Sequence, residues 1–139
     1  MQRTAAPSLV SLIRQADREA RRRFTYEYDP PRRDTWVSHA EEVRQGQSWS
    51  GDCDDLGSTA LELAVEMGAD PAALYRARVA SPVCPPSQAF DHYVALALED
   101  DQWWVFGDTF APAQRLSRSG HQVHSSACVS DGLHSWELW

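Results

Sequence analysis

The sequence predicts an α+β fold, because helical spacing of apolar residues is confined to its first half and strict alternation fills the stretch from Phe90 to Phe110. With 139 residues the chain can build one core and is short for two, so residues 1–139 are read as a single domain. Its 42% hydrophobic content suits a packed globule, and no apolar run approaches the ~18 residues that span a bilayer. Arg14, Asp17, Arg18 and Glu19 stand where a secretion signal needs apolar residues, which predicts a cytoplasmic protein with no membrane partner. A net charge of −7 argues against nucleic acid as a partner, since release of counterions from phosphates requires a basic surface. All 13 basic residues are arginine, so the chain has no ε-amine of its own to accept an acyl group. Three cysteines give no disulfide framework.

Pro7-Ser8 signals a helix whose apolar face is Leu9, Leu12, Ile13, Ala16 and Ala20. Arg21, Arg22 and Arg23 crowd its end and read as a solvated terminus. Phe24 to Tyr28 is briefly extended before Asp29-Pro30-Pro31 breaks the chain. A short second helix follows, with Asp34 as cap, Val37, Ala40 and Val43 at helical spacing, and Gly46 as stop; Trp36 and Trp49 flank it, as core or as cleft walls. Leu56, Ala60, Leu63, Ala64 and Met67 then mark one face of a third helix. After Asp70-Pro71, Leu74 to Val79 reads as a strand, and Pro82, Pro85 and Pro86 stiffen the next loop. Phe90 to Leu98 and Gln102 to Phe110 form a hairpin about Glu99-Asp100-Asp101. A last strand is expected through Trp136 and Leu138.

The chemistry centres on Trp49-Ser50-Gly51-Asp52-Cys53-Asp54-Asp55-Leu56-Gly57, immediately before the third helix. Gly51 permits a sharp turn, Asp52 can cap, and Asp55 stands three residues on, so Cys53 falls in the first turn, where backbone N–H groups lack intrahelical acceptors. The positive helix end favours the thiolate, the nucleophilic form of cysteine. Three flanking aspartates oppose it, and a helix terminus is worth only about 0.3–1 kcal/mol to a nearby charge. Cys53 therefore needs a cationic partner, for which histidine is suited. The competing reading makes Cys53 a small buried hydrophobe, as Cys84 and Cys128 are expected to be.

Gly51-Asp52-Cys53-Asp54-Asp55, His92-Tyr93-Val94-Ala95-Leu96 and Val105-Phe106-Gly107-Asp108 resemble the three motif blocks of the bacterial transglutaminase-like cysteine peptidases. The resemblance runs from about Trp36 to Trp139, and Asp34-x-Trp36 with Glu41-Glu42 is similar to the segment ahead of the family's cysteine. It implies a papain-like, transglutaminase-like fold, a bacterial or phage source, and a protein or peptide substrate. It implies Cys53 as nucleophile, His92 as general base and acid, Asp108 as the residue orienting the imidazole, and an oxyanion hole from the Cys53 N–H and an upstream donor. In some relatives the carboxylates flanking the cysteine bind calcium, and Asp52 and Asp54 match those positions; the short acidic residues here, with no EF-hand loop, favour a site without metal or cofactor. Thr109 stands where the family continues with asparagine.

The activity implied is peptidase, with glutamine-directed transglutaminase or deamidase, or a non-catalytic protein-binding module, as alternatives. His121, His124 and Cys128 are loosely spaced like metal ligands, but no second pair completes them. A hairpin centred on Asp100 sets His92 opposite Asp108, Val94 opposite Phe106 and Leu96 opposite Trp104. A two-residue turn at Asp100-Asp101 slips the pairing by one residue and turns Asp108 to the other face.

Overall fold

The computed structural model describes residues 7–27 and 37–131. Ser8 caps α1 (Leu9–Arg21), its hydroxyl accepting the Ser11 N–H at 3.1 Å. Leu12, Ile13, Ala16 and Ala20 bury the expected face, and Asp17 is buried with them. β1 (Phe24–Tyr26) pairs in parallel with β2 (Trp49–Gly51), and the short α2 (Ala40–Arg44) falls between them in sequence. Trp49 belongs to the core: its indole N–H donates to Ala20 O at 3.1 Å and its ring stacks on His39. Asp34 and Trp36 lie outside the described residues, as do Trp136 and Leu138 of the expected last strand.

α3 (Cys53–Glu66) is buried around most of its circumference, since it packs against α1 on one side and the sheet on the other. A 3-10 turn (Pro71–Ala73), capped by Asp70, leads into the five-stranded sheet of β3 (Leu74–Ala80), β4 (His92–Glu99), β5 (Gln102–Phe106), β6 (Gln114–Arg115) and β7 (Gln122–Cys128). The order is β6-β5-β4-β3-β7 and every pairing is antiparallel. α4 (Leu116–Ser119) bridges β6 and β7. Ala95, Ala97 and Phe106 meet α1 and α3 in the larger core, while Ala77, Val79, Val94, Leu96 and Val105 form a second core on the sheet's other face, under Tyr75, Trp103 and Leu116. β7 has no clear alternation in the sequence and was not among the expected strands.

The hairpin corrects the expected register. Ala95 faces Phe106, Leu96 faces Val105 and Ala97 faces Trp104, one residue away from the pairing that would oppose His92 and Asp108. The turn is the two-residue one, with Asp100 at φ 50° and Asp101 at φ 63°. Turns with both central residues at positive φ match the twist of the flanking strands, and aspartate tolerates that conformation better than most residues. Packing favours the same slip: small Ala95 and Ala97 now lie beside the aromatic Phe106 and Trp104 on the helix-facing side.

The slip alone would carry Asp108 away from His92, but β5 stops at Phe106. Gly107, at φ +59°, breaks the alternation and redirects the chain. A Cβ there would lie 2.9 Å from the Cα of Gly57, so two glycines let the end of β5 touch the second turn of α3. The segment that follows is held from α1. Asp17 accepts the Gly107 N–H at 2.8 Å, the Ala113 N–H at 3.1 Å and the Arg21 Nε–H at 2.8 Å, and Arg21 in turn donates to the carbonyls of Ala111, at 2.6 Å, and Asp108. Arg21 is thus part of the scaffold, in contrast to the solvated helix end expected of Arg21 to Arg23.

Two mutations test this framework. Gly107→Ala is expected to lose at least about 1–2 kcal/mol from the backbone conformation alone, with the contact on Gly57 adding to it, measured as a lower urea midpoint. Asp17→Ala leaves two backbone N–H groups and a guanidinium without their acceptor, and is expected to lose about 3–5 kcal/mol in the same assay; a loss below about 1 kcal/mol would show that the clamp is dispensable.

Candidate active site

The candidate residues stand at the start of α3, at the start of β4 and in the segment that follows β5. His92 is the first residue of β4. Just before it, the Asp91 N–H donates to Val79 O at 3.1 Å, and the Asp91 carboxylate accepts the Ser81 N–H and hydroxyl, both at 2.7 Å, which fixes the start of the strand.

His92 and Asp108 are brought into direct contact, with Nε2 of His92 2.7 Å from Oδ1 of Asp108. The other carboxylate oxygen is 2.7 Å from Nε2 of His121, a residue that the sequence reading had placed in a loose metal cluster. A carboxylate can only accept, so each imidazole carries its proton on Nε2. The Phe110 N–H donates to Oδ1 at 3.0 Å, closing a tight turn that lays the Phe110 ring on His92, centroids 4.6 Å apart and planes 10° apart. Phe110 remains 54% exposed, whereas Asp108 is fully buried. Burial raises the Asp108 pKa, but hydrogen bonds from His121, His92 and the Phe110 N–H outweigh it and hold the carboxyl well below the usual range. Because the folded value is the lower one, this carboxylate stabilises the fold at neutral pH, and the contribution fades only as the pH falls below its unfolded value of 3.8.

Cys53 is the first residue of α3 and is half-buried. Gly57, one turn further on, is the residue against which Gly107 packs, so the start of the cysteine helix and the Asp108 segment adjoin. The Asp52 N–H donates to Asp55 Oδ2 at 3.2 Å, the reciprocal half of the expected cap, and a Cβ at Gly51 would fall 2.6 Å from that same oxygen. Asp54 Oδ1 accepts the Asp55 N–H at 3.0 Å, while its Oδ2 is buried with no hydrogen-bond partner. Carboxylate oxygens of Asp52, Asp54 and Asp55 lie within 4.8 Å of one another.

The other sequence candidates are dispersed. His124 is exposed and stacks on Phe90, and Cys128 ends β7 beside the carbonyls of Pro71 and Ala72, whereas His121 precedes the start of that strand, so the three do not form one cluster. Burial and Asp91 push the Cys84 thiol up. The sequence suggests His121 only as a loose metal ligand, and nothing local marks its contact with Asp108. Gly120, at φ +77°, is the only nearby sign that the chain reverses there.

No family model matches the chain, and no curated protein matches it. Its fold does match solved structures of LapG from Legionella pneumophila, a cysteine peptidase of transglutaminase-like type. One LapG structure is 18% identical over 94% of this chain and 76% of its own, with a TM-score of 0.68. The calcium-bound form is 20% identical over 84% of this chain with a TM-score of 0.63, and the EGTA-treated form 18% identical with 0.62. This chain spans 63% of the length of the calcium-bound one. Helices on an antiparallel sheet, with a cysteine opening the central helix, thus form the same transglutaminase-like fold that LapG has.

Proposed function

We propose that the chain is a cysteine peptidase in which Cys53, His92 and Asp108 act as nucleophile, base and orienting carboxylate. The observation that carries this reading is the buried His92–Asp108 hydrogen bond beside the start of the cysteine helix, in the fold of a cysteine peptidase. With Nε2 committed to Asp108, Nδ1 of His92 is the nitrogen left to take the thiol proton. The thiolate attacks a peptide carbonyl carbon, and the oxygen gains charge near the first-turn N–H groups of α3. The imidazolium returns its proton to the leaving amine as the C–N bond breaks. Water, deprotonated by His92, then attacks the thioester and releases the acid and the thiol. Asp108 keeps the tautomer and balances the imidazolium throughout.

The donor set of Asp52, Asp54 and Asp55 fits a calcium ion, since Asp54 Oδ2 is buried without a partner and these residues offer only hard oxygen ligands. Such an ion would offset the repulsion that three carboxylates exert on the neighbouring thiolate. This departs from the metal-free expectation drawn from the sequence, and it rests on that one buried oxygen.

Iodoacetamide near neutral pH is expected to modify Cys53 before Cys84, whose thiol is pushed up, and before Cys128, whose S–H faces carbonyls; His92→Ala should slow the Cys53 reaction by about 10-fold or more. Peptide mapping by mass reads both. First reaction at Cys84, or a Cys53 rate indifferent to His92, would sink the assignment.

Calcium is expected to raise the melting temperature by several degrees and EGTA to reverse it, as follows for an ion held only by the folded state. Melting curves identical in both would return the cluster to its metal-free reading.

A further inference from the structure

Of the buried ionisable side chains that the mechanism above leaves unused, His121 is the one bonded to Asp108. His121 is 1% exposed at its side chain, and only one of its two ring nitrogens has a partner. Nε2 donates to Asp108 Oδ2, and Nδ1 is buried with none. A histidine kept only to fill space is poorly suited here, because an apolar ring would occupy the volume without stranding a polar nitrogen. What the imidazole supplies and an apolar ring cannot is the second hydrogen bond to Asp108.

That bond has a geometric consequence. Oδ1 of Asp108 serves both His92 and the Phe110 N–H, and bonds to that oxygen alone resist rotation about Cβ–Cγ from one side only, leaving the carboxylate some freedom to swing. A donor on Oδ2 removes that freedom and holds Oδ1 towards His92. His121 is itself held rigidly. Its N–H donates to Ser119 Oγ at 3.1 Å, and the Phe110 ring lies 5.6 Å from its ring. At Gly120 a Cβ would fall 2.8 Å from Pro82 Cγ, so the backbone entering His121 has little room to shift.

We propose that His121 is a positioning residue for acyl transfer: its Nε2–H pins Asp108 so that His92 keeps its proton on Nε2 and presents Nδ1 to Cys53. It touches neither substrate nor thiol. The inference rests on the triad reading, and the experiment separates the two.

The test compares wild type, His121→Phe, His121→Gln, His121→Asn and His92→Ala by Cys53 alkylation rate and by the 15N signature of the His92 tautomer at a pH where the ring is neutral. His121→Phe is expected to slow alkylation about tenfold and to mix the His92 tautomers, whereas His121→Gln, whose amide N–H can reach Oδ2, stays within about twofold of wild type. A cooperatively folded His121→Phe protein with the wild-type rate and an unmixed tautomer would overturn the proposal. So would a His121→Gln protein as slow as His121→Phe. Should the Phe variant not fold, the Asn variant replaces it: too short to reach Oδ2, it is expected to be slow, and a wild-type rate would again refute the role. If His92→Ala leaves the rate unchanged, the triad itself fails; if His92→Ala is slow while His121→Phe is not, only the present inference does.

Discussion

Four segments converge on Asp108, whose carboxylate is buried. β4 brings His92 to one oxygen, the chain entering β7 brings His121 to the other, the following turn adds the Phe110 N–H, and Arg21 of α1 takes the backbone carbonyl of the same residue. An ionised carboxylate with no exposure costs several kcal/mol unless its lone pairs are met. The fold meets them with His92, 16 residues before, His121, 13 residues after, and the Phe110 N–H, while Arg21, 87 residues before, takes the backbone carbonyl. Burial therefore works here as a constraint on geometry: segments that fail to arrive leave a charge stranded in the core. The same principle operates one layer away at Asp17, where a buried charge gathers two N–H groups and a guanidinium.

Most of the elements could be read from the sequence because local physics marks them. The periodicity of α1 and α3, the cap at Ser8, the stop at Gly46 and the alternation of β4 each follow from a few adjacent residues. The Cys53 helix and the pairing of His92 with Asp108 were legible for the same reason, as motifs written in contiguous blocks. The hairpin register was not, since Glu99-Asp100-Asp101 suits turns of two lengths, and the choice between them is made by how Ala95 and Ala97 seat the helices.

The His92–Asp108 contact nevertheless forms in a register that should have prevented it. Two deviations cancel: the two-residue turn inverts the faces, and Gly107 breaks the strand one residue before Asp108. Neither is visible in alternation alone. Asp17 and the contact that His121 makes with Asp108 escape a local reading for a related reason: Asp17 is polar on a helix that packs against the core, His121 lies just before β7, and their partners are 90 and 13 residues away in sequence. Arg21, adjacent to two further arginines, looked like a solvated charge until its acceptors were in view.

Asp17 and Arg21 on the first helix widen the unit that the proposed site needs. Every residue proposed to touch substrate lies between Cys53 and Asp108, and a chain trimmed to the motif-bearing region would keep all of them. It would also lose the acceptor that anchors Gly107 and the donor that grips Asp108. Such a fragment would carry the proposed reactive groups and keep His121 and the Phe110 N–H on the carboxylate, but the backbone that bears Asp108 would no longer be held from α1. The first helix is therefore as much a part of the candidate site as the strands that display it, although it contributes no atom to the proposed chemistry.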